Sequence, residues 1–278
     1  MIRGLYTGAS GMLSQELRMD VIANNLANVD KTAYKKDTVI FKSFPEMLLR
    51  RFRDNGLVKF PLGSYDKAPV IGKLGTGVEV NEVFTHFEEG SLKKTDNPFD
   101  LAIEGKGFFV VETPRGIRYT RNGSFLIDKD NYLVTKDGYK VLGEKGYIKV
   151  QNNNFIVNKK GEIIVNAKFN NRKIVSNAEN GWENAQIIDK LKIVNFREPR
   201  ELKKEGNSFF YSTTYSGPPM TPKIMPHIRQ GFIETSNVNI VEEMVNMIEV
   251  QRAYEANSKS VTTADNSLNK LINDMAKV

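Results

Sequence analysis

Toward the C-terminus, Ile240, Met244, Met247, Gln251, Tyr254, Ser258, Val261, Asp265, Leu268, Ile272 and Met275 follow one another in unbroken steps of four and three. Such a stripe drifts around a straight helix and faces one partner continuously only if the helix supercoils left-handedly, so the spacing predicts a coiled-coil seam. The predicted helix runs from about residue 239 to 275 and is roughly 55 Å long. Asn239 followed by Glu242 offers a capping box, and neither Pro nor Gly interrupts the chain after Ile233. A shorter stripe of the same period opens the chain: Leu5, Met12, Met19 and Leu26 recur every seven residues, with Ala9, Glu16 and Ala23 between them. Ala9 and Ala23 are small enough for a close helix approach, so the two ends are expected to pair with each other.

The periodicity breaks up after Thr32. A short helix is expected at Pro45 to Phe52, followed by an extended arm punctuated by Gly56, Pro61, Gly63, Pro69, Gly72, Gly75 and Gly77. From Thr76 the pattern is that of strands: Val78–Val80, Leu101–Ile103, Phe108–Val111, Ile117–Tyr119, Phe125–Ile127, Tyr132–Val134, Tyr139–Val141, Phe155–Val157, Ile163–Val165 and Leu191–Val194. Asn122-Gly123, Asp130-Asn131 and Asp137-Gly138 supply the positive-φ positions that tight hairpins need.

Composition narrows the function classes. The chain has no Cys and two His, His86 and His227, which rules out disulfides and thiolate chemistry and nearly removes the commonest metal ligand and general base. No catalytic, metal or cofactor-binding constellation stands out. Gly72-Lys73-Leu74-Gly75-Thr76-Gly77 has the wrong spacing for a dinucleotide fingerprint, and Gly105-Lys106-Gly107 precedes a strand where that fingerprint must follow one. Glu88 and Glu89 are adjacent carboxylates, but neighbours on a strand point to opposite faces and would not share a substrate. The net charge of +7 comes from scattered Lys and Arg, without the dense basic stripe of a nucleic-acid binder. No apolar run is long enough to cross a membrane, and no cleavable secretory signal is evident at the start.

Gln251, Ser258 and Asp265 occupy seam positions that a free two-helix coil would fill with apolar groups. Polar residues there trade stability for register or partner number, which points to ends that fold when several chains pack together.

Two terminal segments carry a resemblance. Gly4-Leu5-Tyr6-Thr7-Gly8-Ala9-Ser10-Gly11-Met12, with Met19-Asp20-Val21-Ile22-Ala23-Asn24-Asn25-Leu26-Ala27-Asn28-Val29 and Thr32-Ala33-Tyr34-Lys35, resembles the N-terminal signature of bacterial flagellar rod and hook proteins. Gly231-Phe232-Ile233-Glu234-Thr235-Ser236-Asn237-Val238-Asn239 and the start of the following helix resemble the matching C-terminal signature, and Asp100 to Phe109 with Tyr119 to Phe125 is similar to the family's β-domain. The family pattern usually has Gly where this chain has Ala33, so the backbone there is expected to turn differently, or to be αR instead of αL.

The resemblance implies a non-enzymatic axial protein of the basal-body rod. It would be exported uncleaved by the flagellar export apparatus and cross the periplasm as a helical homopolymer joined to other rod and hook-side proteins. That polymer would transmit torque and enclose the export channel, with neither cofactor nor nucleic acid nor membrane insertion. The variable arm from Lys42 to Leu74 is where rod paralogues differ; a proximal-rod type is favoured over a distal-rod paralogue, and a secreted β-domain adhesin or scaffold on a helical stalk is the alternative of another class. The fold class is α+β: helical ends forming a coiled-coil-like pair around an antiparallel β-rich domain. The expected divisions are 1–35 (N-terminal helix), 36–75 (arm), 76–230 (β-domain) and 235–278 (C-terminal helix). Leu5, Met12, Met19, Leu26, Ile240, Met244, Met247, Gln251, Tyr254, Ser258, Val261, Asp265, Leu268 and Ile272 are the expected subunit interface. Asn24-Asn25-Leu26-Ala27-Asn28 is expected to end the first helix, its side-chain amides holding the loop that follows.

Overall fold

In the computed structural model, residues 2–50, 70–150, 155–166, 185–206, 208–222 and 224–275 are described. They form an α+β protein with a helix near each end, α1 (Ile2–Ala27) and α2 (Ile240–Met275), and antiparallel strand ladders between. The chain divides into two compact units. One draws on residues within 1–24, 37–84 and 241–278, the other on 25–36 and 85–240.

The first unit holds most of both helices. α2 places Glu242 and Glu243 in its first turn, where the exposed N–H groups and the helix dipole favour negative charge. It then runs without a helix breaker for 36 residues. The same unit contains two small ladders: Asp37–Ser43 pairs with Val78–Thr85, and Met47–Arg50 pairs with Val70–Leu74. The short helix expected at Pro45 to Phe52 is therefore a strand over Met47–Arg50. Consecutive Met47, Leu48 and Leu49 offer no one-sided helical stripe, and the backbone finds its hydrogen bonds across the ladder instead. Residues 51–69, including Gly56, Pro61, Gly63 and Pro69 of the expected arm, lie outside the described residues.

The second unit is built on an eight-stranded antiparallel sheet. Its order is Lys203–Glu205, Phe209–Tyr211, Gly116–Thr120, Phe108–Thr113, Lys140–Val141, Leu133–Thr135 and Phe125–Ile127, with Ile193–Val194 also paired to the central strand Phe108–Thr113. That strand explains its own unbroken apolar run. Phe109 and Val111 enter one hydrophobic cluster, with Leu101, Ile103, Phe125, Leu133 and Ile228, while Phe108 and Val110 enter another, with Tyr119, Phe196 and Phe210. Successive side chains of a strand point to opposite faces, so a strand covered on both must be apolar at every position. Phe155–Val157, Glu162–Asn166 and Ala185–Lys190 form a three-stranded ladder. Leu101–Glu104 pairs with His227–Gln230, and Leu92–Lys94 pairs with Phe232–Glu234, which brings the segment leading to α2 onto this unit.

Two local expectations need correction. Asn131 and Gly138 do take positive φ, at 65° and 83°, but neither Asn122 nor Gly123 does. Gly123 is required for space: a Cβ there would lie 1.6 Å from the Leu101 carbonyl oxygen, and Leu101 N donates to Gly123 O at 2.9 Å. Ala33, expected to avoid the left-handed region, adopts it with φ 57°. It is fully buried there, and its N–H donates to Glu234 O at 2.8 Å, so tertiary contacts hold a conformation that costs an alanine about 1 kcal/mol or more.

Candidate assembly surface and buried ion cluster

Within the first unit the two helices meet at two glycines of α1. A Cβ on Gly8 would stand 2.7 Å from Val261 Cγ2, and one on Gly11 would stand 2.8 Å from Asn257 Nδ2. The close approach falls to Gly8 and Gly11, not to Ala9 and Ala23; Ala23 is exposed. A helix-interior Gly costs about 1 kcal/mol relative to Ala, so a Gly-x-x-Gly pair inside an amphipathic helix was the available signal for such a crossing.

The structure spreads the sequence-derived seam residues over two environments. Leu5, Met12, Met19 and Leu26 of α1, and Met247, Ser258, Val261 and Leu268 of α2, are half-buried. Ile240, Met244, Gln251, Tyr254, Asp265 and Ile272 are exposed. On α2 the most covered positions follow a neighbouring four-three series: Glu243 and Val250 are buried, and Asn257 and Ala264 are half-buried. Both series share the column of Met247, Tyr254, Val261 and Leu268.

A large apolar surface is left bare. Val241, Met244, Val245 and Ile248 lie at i, i+3, i+4 and i+7 on α2 and are each about half exposed or more, from 49 % to 70 %. On α1, Tyr6 and Leu13 are 67 % and 68 % exposed. Together with Ala9, Leu17, Phe44, Val78 and Val80, they line a groove of about 640 Å³. Thr7 Oγ1 donates to Thr76 O at 3.2 Å along its rim.

In the second unit the segment after α1 is tied down tightly. Tyr34 Oη donates to Asn25 Oδ1 at 3.2 Å, so an amide of the Asn24-to-Asn28 stretch does hold the following loop. Lys35 and Glu234 have no exposed side-chain surface, and Lys35 Nζ donates to Glu234 Oε1 and to Glu88 O, each at 2.5 Å. Glu234 Oε1 also accepts from Gly90 N at 3.0 Å. Arg121 Nε lies 3.1 Å from Glu234 Oε2 as an ion pair, while its Nη1 donates to Gly105 O at 2.7 Å and Gly107 O at 2.9 Å. Burial pulls the Lys35 ammonium below the usual lysine range; the Glu234 carboxylate opposes that and the Arg121 guanidinium adds to it.

This arrangement organises structure. Glu88 and Glu89 are exposed, and both Glu89 oxygens receive Gly105 N–H at 3.2 Å. Among the described residues, no group of three His, Cys, Asp or Glu side chains could hold a metal ion, and no helix is long and apolar enough to cross a membrane.

Three family models match the chain: flagella basal body rod protein over 5–35, flagellar hook protein FlgE/F/G D1 domain over 102–166, and flagellar basal body rod FlgEFG protein C-terminal over 229–274. A flagellar basal-body rod protein FlgG of Buchnera aphidicola (subsp. Schizaphis graminum) is 37 % identical, covering 98 % of this chain and 99 % of its own. Its counterpart in Borreliella burgdorferi is 36 % identical over 96 % and 97 %. The flagellar hook-basal body complex protein FlhO of Bacillus subtilis is 31 % identical over the whole of both chains. The chain belongs to the flagellar basal-body rod protein family. It is a structural subunit of the rod. The three matched rod-family segments each supply one member of the buried cluster: Lys35 closes the first, Arg121 lies in the second and Glu234 in the third.

Proposed function

We propose that this rod subunit polymerises through its terminal helices, the bare apolar faces of α1 and α2 being covered by neighbouring chains and the β-rich unit making lateral contacts. The observation that carries this reading is the exposed Val241, Met244, Val245 and Ile248 stripe on α2, together with the equally exposed Tyr6 and Leu13 on α1. A one-sided run of exposed apolar side chains like that on α2 is a mark of an interaction surface. The helices would line a tube that transmits torque and encloses the export channel, with other rod and hook-side proteins above and below and the export apparatus delivering the chain uncleaved. The coiled-coil-like pairing of the ends, centred on Gly8 and Val261, belongs to the same proposal. It is made for the rod as a whole, since the relatives' names do not separate its proximal from its distal tier.

The test is Val245→Asp. Val245 is half exposed in the single chain, so the monomer's stability should stay within about 0.5 kcal/mol of wild type. Incorporation into basal bodies and motility should be lost, because a neighbouring chain would bury an unpaired carboxylate. Normal incorporation of the variant at wild-type expression would remove this face from the assembly.

A further inference from the structure

The fully enclosed part of the cluster is unbalanced: two cations, Lys35 and Arg121, share one carboxylate, Glu234, while the Glu89 carboxylate that also acts on Lys35 is exposed to solvent. Each arrives on a different stretch of chain. Arg121 is fixed to the body of the β-rich unit through Gly105 O and Gly107 O. Glu234 comes on the strand Phe232–Glu234, docked by its ladder to Leu92–Lys94. Lys35 comes on the connector that follows α1, in contact with a glutamate 199 positions further along the chain.

The three groups therefore cannot be added in any order. With Glu234 in place and Lys35 absent, Arg121 and the carboxylate are a balanced pair. With Lys35 in place and Glu234 absent, two cations face each other out of water, and an uncompensated buried charge is among the costliest faults a fold can carry. Several of the connector's backbone bonds point the same way, although Lys36 O accepts from His86 N at 2.9 Å and Lys35 O from Lys204 Nζ at 2.6 Å. Ala33 N donates to Glu234 O at 2.8 Å, Lys36 N donates to Asn237 Oδ1 at 2.8 Å, and Tyr34 O accepts from Asn237 N at 3.4 Å. Asn237 Nδ2 is itself held by His86 O at 3.1 Å. The C-terminal strand thus supplies both the counter-charge and much of the template for the connector.

We propose that Glu234 is a docking gate: the connector spanning residues 28–36 seats on the β-rich unit only after the C-terminal strand is home. The root of the N-terminal helix is then fixed only in a chain whose C-terminal segment has already folded onto its unit. Both terminal helices leave that unit through elements tied by one cluster. A chain missing the C-terminal strand keeps its connector undocked although every residue of the connector is present.

The experiment is amide hydrogen exchange on the full-length protein, read at 28–36, in wild type, Glu234→Gln, Lys35→Met and the double variant. Glu234→Gln should cut protection of the connector on the order of a hundredfold, because both cations stay behind. Lys35→Met leaves the Arg121–Glu234 pair intact and should cost less than about tenfold. The double variant should exchange more slowly than Glu234→Gln alone, since removing the second cation relieves the repulsion. Equal opening in the two single variants, wild-type protection in Glu234→Gln, or a double variant worse than Glu234→Gln would each overturn the gate. If Glu234→Gln alone yields no folded protein, the double variant decides: folding with a protected connector supports the gate, and failure to fold refutes it.

Discussion

Replacing Gly90 with Ala tests how the C-terminal strand is seated. An added Cβ would lie 2.1 Å from Thr235 O and 3.0 Å from Thr235 C, both backbone atoms that no rotamer change can move aside. Restoring a bare 3.0 Å to the oxygen requires the strand to withdraw by about 0.9 Å. Four hydrogen bonds feel that shift: Thr235 N to Ser91 O and Thr235 Oγ1 to Ser91 O, both 2.9 Å, Gly90 N to Glu234 Oε1 at 3.0 Å, and Ala33 N to Glu234 O at 2.8 Å. Lengthened by most of an ångström, they fall outside useful range. Three neutral bonds at about 1 kcal/mol and one to a carboxylate at about 2 kcal/mol give an upper loss of about 5 kcal/mol, and partial relaxation brings the expected cost to about 3–5 kcal/mol. With a urea slope of about 2 kcal/mol per molar, the midpoint followed by β-sheet ellipticity should fall by about 1.5–2.5 M. Gly75→Ala is the control, since nothing lies within 4 Å of its Cβ, and it should stay within about 0.5 kcal/mol. A Gly90→Ala variant within about 1 kcal/mol of wild type would refute the account of this contact.

Glu205 gives a pH signature. Hydrogen bonds from Arg118 and Arg115 hold its carboxyl below the ordinary glutamate value, so its contribution to stability is present above that value and is lost as pH falls through the lower folded-state one. Thermal midpoints of wild type and Glu205→Gln should converge as the pH drops from 6 toward about 3; a pH-independent gap would contradict this. Gly4 lies in α1 with open space where a Cβ would go, so Gly4→Ala should raise helix stability by up to about 1 kcal/mol, measured by thermal unfolding of α1 ellipticity, and a loss would show an unseen contact.

The strands were legible because their cause is local. Phe108 to Val111 is apolar at consecutive positions since both faces are covered, and Asp137-Gly138 turns where a left-handed residue is needed. The Asn122-Gly123 pair misled for a physical reason: glycine also serves where another backbone approaches, and sequence does not separate that use from positive φ. Ala33 misled in the opposite sense, because contacts from Glu234, far along the chain, override its local preference. On α2 a four-three repeat leaves open which flank of the Met247, Tyr254, Val261 and Leu268 column meets α1. Glu243 and Val250, on the more covered flank, have no signature in the spacing. The buried cluster was illegible altogether, since no pattern in the chain pairs Lys35 with a glutamate 199 residues away or marks both as fully enclosed.

If neighbouring chains cover the helix faces left bare in one chain, assembly into the rod must protect them. Hydrogen exchange on purified monomer and on assembled basal bodies, read at 2–24 and 241–273, tests it most directly. Exchange should be fast along Val241 to Ile248 and along α1 in the monomer, strongly slowed after assembly, and little changed at Ala33 to Lys36, whose bonds are made within the chain. Equal protection of both helices in the two states would contradict it and make the helical ends a self-sufficient stalk.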